Sequence, residues 1–201
     1  MPELVGGADA WPVVDSEHPY DGGWVIRLRE DQLQRPGHPD EEPFSRLVLE
    51  HPGAAVILAV DDRDRALCLW QYRHAVQKRL VQLPAGLCDV EGEDPLGVAQ
   101  RELAEEAGYA ATDWTHLASL HSSPGITAET AHYFLARGLT ETGRGDFEPV
   151  HEEAEMEIGW VPFAELQEAV TAGQLTDAHL AVAVLLAGSR LAPSQRRGAD
   201  H

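Results

Sequence analysis

GLCDVEGEDPLGVAQRELAEEAGY, from Gly86 to Tyr109, contains a loop, a helix start, a helix body and a helix stop in one unbroken stretch. Asp94 is suited to cap the helix, Pro95 fits its first turn, and Gly108 can end it. On a 3.6-residue wheel Leu96, Leu103 and Ala107 share one face, which points to a core on that side. Glu102, Glu105 and Glu106 stand at i, i+3 and i+4, so their carboxylates project together from another side. Like charges at this spacing cost a few tenths of a kcal/mol per pair, and Arg101 offsets part of that through Glu105 at i+4. With Glu93 just ahead of the helix, these acids supply the hard oxygen ligands that Mg²⁺ or Mn²⁺ prefers. An ordinary solvated acidic face is the competing reading from charge spacing alone.

The flanking sequence is rich in strands. Upstream, residues 24–30 and 45–51 alternate apolar and polar, with a Pro- and Gly-bearing loop between them. Residues 54–60, AAVILAV, form a continuous apolar run that suits a buried strand. ALCLWQYRHAV and RLVQLPAGL read as further strands, with Pro84 and Gly86 ending the pairing. Downstream, WTHLASLHSSPG and AHYFLARGL read as strands around a Pro-Gly loop, followed by a strand in EMEIGWVP. FAELQEAVTAG and DAHLAVAVLLAG then read as two helices. Residues 1 to about 22 are expected to be loosely ordered, and the tail SQRRGADH frayed. Irregular alternation of strands and helices favours a mixed sheet with helices on both faces.

Length and composition narrow the function. The chain has 201 residues, 43% of them hydrophobic, enough for a sizeable core. A formal charge of −19 argues against nucleic acid or an anionic membrane as the main partner. An anionic small molecule stays admissible if cations or a local arginine cluster offset the repulsion. Cys68 and Cys88 make no disulfide framework, which implies a reducing compartment. With no signal-peptide pattern and no apolar run long enough to span a bilayer, a cytoplasmic protein is expected. The sequence contains neither a nucleophile elbow nor a Walker-type loop, and no zinc-ligand pattern.

The Gly86–Tyr109 stretch resembles the Nudix box. Glu93 is followed by seven residues and then by Arg101-Glu102-Leu103-Ala104-Glu105-Glu106-Ala107-Gly108-Tyr109. At ordinary residue frequencies the four charges plus Gly108 match by chance about 2 × 10⁻⁴ times per chain of this length, which favours the metal reading over the solvated face. One departure is that six residues, not five, separate Gly86 from Glu93. QYRHAV, LVQLPAGL, SSPGITAET and HEEAEM extend the resemblance to the ADP-ribose pyrophosphatase branch over roughly residues 44–187. A second departure is Gln82, where many members of that branch carry Glu.

The resemblance implies a Nudix α/β/α sandwich with a mixed sheet and a small N-terminal β appendage. Residues 1–52 would be that appendage, exchanged in a homodimer; 53–190 would be the hydrolase domain and 191–201 a flexible tail. It implies Mg²⁺- or Mn²⁺-dependent hydrolysis of ADP-ribose to AMP and ribose 5-phosphate. Another nucleoside diphosphate sugar or a dinucleotide is the alternative substrate, and a nucleotide-sensing regulator the alternative class. Glu102 and Glu106 are the implied metal ligands, then Glu105 and the Ala85 carbonyl. Glu93 is either a further ligand or the partner that orients Arg101. The implied general base is Glu153, with Glu152 next, each otherwise a solvated loop acid. Arg73 is implied to contact phosphate or ribose, since arginine can fork two phosphate oxygens, and is otherwise a surface ion pair. Arg46 and Glu50 lie where the branch contacts the nucleoside half. Glu129 follows a flexible loop and is either a substrate or metal contact or a plain loop acid.

Overall fold

The apolar run at residues 54–60 owes its lack of alternation to burial on both sides, and the rest of the larger unit is built around it. The computed structural model describes residues 6–23, 25–145 and 155–191. The chain divides into two compact units. One comprises the chain up to Pro52 together with His121–Glu129, and the other comprises Gly53–Leu120 with the chain from Thr130 onward.

The first unit is an antiparallel sheet of β1 (Val13–Tyr20), β2 (Arg27–Leu33) and β3 (Phe44–Glu50), in that order. Leu49 of β3 also bridges to Thr127, its N–H reaching the Ile126 carbonyl at 2.7 Å, which ties the 121–129 loop to this unit. Two expectations are corrected here. The segment before residue 22 is not loosely ordered throughout, because Val13–Tyr20 pairs with β2. Every β1 residue is exposed, so no buried face marks the strand in the sequence. The next strand begins at Arg27 and continues to Leu33; Trp24 lies outside the described residues.

The second unit contains β4 (Ala54–Ala59), β5 (Arg65–Arg73), β6 (Lys78–Gln82), β7 (Ala85–Leu87), α1 (Pro95–Ala107), β8 (Tyr109–His121, all but its last residue), β9 (Thr130–Glu141), β10 (Glu157–Pro162), α2 (Phe163–Thr171) and α3 (Ala178–Leu191). One sheet has the order β7-β4-β9-β8 and the other β10-β5-β6. The first is mixed, since β4 runs antiparallel to β7 and parallel to β9. β4 alternates between two cores. Val56, Leu58 and Val60 pack with Leu180, Ala183, Val184 and Ala187 of α3. Ala55, Ile57 and Ala59 pack with Val98, Ala99, Leu103 and Ala107 of α1. Side chains alternate across a strand, so a run apolar at every position needs a helix on each face. That makes an α/β/α sandwich with a mixed sheet, and α1 is placed on it by its apolar stripe. Both cysteines are free thiols, and burial pushes Cys68 up to about 12. Among the described residues no helix is long and apolar enough to cross a membrane.

Candidate active site

The acidic helix α1 is fixed at both ends. The Asp94 carboxylate accepts a hydrogen bond from the Gly97 N–H at 2.7 Å, and Pro95 opens the first turn. Gly108 closes the helix at φ 74°, a left-handed conformation that costs glycine little, with its N–H on the Ala104 carbonyl at 2.9 Å. Arg144 adds a hydrogen bond to the Glu106 carbonyl at the same end. With Leu103 and Ala107 buried, the three glutamates fan out across the margin of the apolar face. Glu106 is only 8% exposed, whereas the Glu105 side chain is 37% exposed.

Two of the three glutamates lean on the short strand β7. The Glu106 carboxylate accepts from the Ala85 N–H at 2.9 Å. The Glu102 carboxyl lies against Gly86 so closely that a Cβ there would stand 2.0 Å from its Cδ and Oε1. The glycine that opens the motif is therefore a cradle for a carboxylate. Arg101 gathers the rest: its guanidinium donates to Glu102 at 2.6 Å, to Glu105 at 3.2 Å and to Glu93 at 3.3 Å. Burial holds the Glu102 carboxyl above the ordinary glutamate range, and the adjacent Arg101 charge only partly offsets this. For Arg101 burial works the other way and would lower it. Hydrogen bonds to Glu93 and the charge of Glu102 outweigh burial and raise it, so the guanidinium stays charged.

The donor set is all oxygen, partly desolvated and net negative, which fits a hard divalent cation. Among the described residues, no three His, Cys, Asp or Glu side chains form a ready-made cage, and Arg101 and the Ala85 N–H engage the carboxylates of Glu102 and Glu106. Glu93 is found as the partner of Arg101 across the helix start.

The other expected residues divide between the units. Arg73 ends β5 in the second unit, and its Nε donates to the Gln82 side chain at 2.6 Å. Arg46, Glu50 and Glu129 belong to the first unit. The Arg46 guanidinium lies 4.5 Å from the centre of the Phe44 ring. Glu50 is paired with Arg29, Arg27 and His18. Glu129 stands 4.0 Å from His51. Glu152 and Glu153 lie outside the described residues. Sequence reading overlooked Arg79, which donates to the Glu155 carbonyl and pairs with Glu157 at 3.1 Å. It also overlooked Asp177, a buried carboxylate that accepts from the Leu180 N–H at 2.8 Å. An Asp three residues before a Leu at the head of an apolar run is a capping signal that marks Asp177.

A mixed sheet clad by helices on both faces, with a glutamate-rich helix seated on a glycine-bearing edge strand, defines an α/β/α domain with a candidate cation site. The family model described as the NUDIX domain matches residues 49–181, and the chain belongs to the NUDIX family. It is a Nudix hydrolase, and such enzymes generally need divalent metal ions. The chain is 43% identical over 165 residues to an ADP-ribose pyrophosphatase of Mycobacterium tuberculosis, covering 82% of this chain and 77% of that one. It is 32% identical over 162 residues to an ADP-ribose pyrophosphatase of Bacillus subtilis, covering 81% and 84%. The crystal structure of an ADP compounds hydrolase superposes with a TM-score of 0.75 over 96% of this chain and all of that one. At 20% identity this last likeness concerns the fold alone.

Proposed function

We propose that the protein hydrolyses the pyrophosphate bond of ADP-ribose, using Mg²⁺ or Mn²⁺, to give AMP and ribose 5-phosphate. The observation that carries this reading is the packing of Glu102 and Glu106 of α1 against β7, beside the Arg101 hub, in a chain 43% identical to an ADP-ribose pyrophosphatase. Glu102 and Glu106 are the residues that would hold the cation, joined by Glu105 and the Ala85 carbonyl. When bound, the cation neutralises the diphosphate and makes the attacking water more acidic.

The chain's own groups do the rest. Arg101 keeps the carboxylates of Glu93, Glu102 and Glu105 from repelling one another apart. Arg73 offers a planar fork to phosphate oxygens. Glu153 or Glu152 takes the proton from the water that attacks phosphorus. One bridging P–O bond breaks, and each half leaves as a phosphomonoester. Arg46 and Glu50 serve the nucleoside half of the substrate, and Glu129 contacts the substrate or its metals. The enzyme acts in the cytoplasm as a homodimer formed through its N-terminal β unit. Val13, Val14 and Leu47, exposed at 51%, 55% and 45%, support that assignment with apolar surface to cover.

The test is a panel of ADP-ribose, other nucleoside diphosphate sugars and dinucleotides, scored for nucleoside monophosphate release at one fixed pH with and without Mg²⁺. ADP-ribose is expected to be turned over fastest, and only with the metal. Faster turnover of another member overturns the substrate, and no turnover of any member overturns the reaction.

A further inference from the structure

Gln82 joins two charged groups that the rest of the fold keeps apart. It sits at the end of β6, half-buried, and its Oε1 accepts from the Arg73 Nε at 2.6 Å. Its Nε2 donates to Asp177 Oδ2 at 2.6 Å. The other oxygen of Asp177 accepts from the Leu180 N–H at 2.8 Å, at the head of α3. The orientation of the amide follows from chemistry: a guanidinium can only donate and a carboxylate can only accept. The link between them must therefore accept on one side and donate on the other. Glutamine does both, whereas glutamate in its charged form has nothing to donate to Asp177.

We propose that Gln82 is the positioning residue for Arg73, a neutral strut between that guanidinium and the buried Asp177 carboxylate. The strut fixes the plane of the guanidinium through Nε. Among the described residues, the Arg73 side chain has no other hydrogen bond or ion pair, so its two terminal nitrogens and its full charge stay available for a diphosphate. A glutamate at this position would neutralise Arg73 and set a second carboxylate against Asp177. The departure from the family pattern at residue 82 thus matches the presence of Asp177 behind it. This inference rests on the reading of Arg73 as a phosphate contact.

The experiment measures kcat and KM for ADP-ribose with Mg²⁺ at fixed pH in R73A, Q82E, Q82M and the R73A/Q82M double variant, each checked for folding by circular dichroism. R73A is expected to raise KM about tenfold or more, as loss of a charged bidentate contact does. Q82E and Q82M are expected to raise KM about three- to tenfold with kcat within about twofold of wild type, the pattern of lost ground-state binding. In the R73A background Q82M is expected to leave KM within about twofold, because coupled residues are not additive. A wild-type KM in R73A removes the Arg73 reading on which the strut depends. A raised KM in R73A with a wild-type KM in both Gln82 variants overturns the strut alone. So does full additivity in the double variant.

Discussion

Glu106 is a carboxylate at the edge of an apolar face, 8% exposed, and it accepts from the Ala85 N–H at 2.9 Å. A carboxylate with so little access to water is costly unless it is paired or hydrogen-bonded. In the proposed mechanism this carboxylate also holds the cation. Glu106→Gln keeps an acceptor for the Ala85 N–H, so the fold is expected to stay intact while turnover falls by about a hundredfold or more. Steady-state rates on ADP-ribose, with circular dichroism as the control, check this, and turnover like wild type would remove Glu106 from the mechanism. Gly86 makes a second, independent case. A methyl group there meets the Glu102 carboxyl at 2.0 Å, and the side chain has to move away. Gly86→Ala is expected to lower kcat by about a hundredfold, as misplacement of a functional group by an ångström does. Its urea midpoint should stay near that of wild type, because the flexible side chain and not the backbone gives way. Unchanged kcat would mean that the position of Glu102 does not matter.

The elements were legible in the sequence to the degree that burial left a mark on them. α1 was readable from Asp94, Pro95 and Gly108, and each of these does in the fold what its chemistry predicts. β4 was readable because both its faces are covered. β1 was not, because none of its residues is buried and pairing alone leaves no hydrophobic period. In the site, spacing revealed the carboxylates of α1, but not that Gly86 cradles one of them or that Gln82 bridges Arg73 to Asp177. Those depend on contacts between segments, such as Gln82 with Asp177 across 95 positions of chain, that no local pattern encodes. The Asp94 cap sets where α1 begins and hence how its glutamates face β7. Asp94→Ala removes the acceptor for the Gly97 N–H and is expected to cost about 1 kcal/mol. Urea unfolding should show a lower midpoint at an unchanged slope, and a midpoint equal to wild type would show that the cap contributes nothing to stability.

Over the whole molecule, 34 acidic against 15 basic residues mean that most carboxylates repel one another, so mild acidification relieves repulsion. A few paired acids oppose this trend. Asp31 in β2 is 6% exposed and accepts from Arg29 Nε at 2.9 Å and from the Ser16 hydroxyl at 2.7 Å. The Arg29 hydrogen bond first, then that from Ser16, hold its carboxyl below the ordinary aspartate value of 3.8. Asp61 is lowered as well: burial would raise it, but the backbone and guanidinium of Arg65 outweigh that. The sign follows from linkage. A folded-state pKa below the unfolded one means that the unfolded chain binds the proton more readily. The stability Asp31 contributes is therefore complete above the unfolded value and is lost as pH falls through its depressed folded value. Asp31→Asn isolates this contribution from the general relief of repulsion, because both proteins share the remaining acids. At pH 7 the variant is expected to be less stable by about 1.5 kcal/mol, the scale of a hydrogen bond to a charged group. The gap in urea midpoint between the two proteins should begin to close near pH 3.8 and vanish below the folded value of Asp31. A gap that stays constant across that range would show that the carboxylate's charge is not what stabilises the β1–β2 pair.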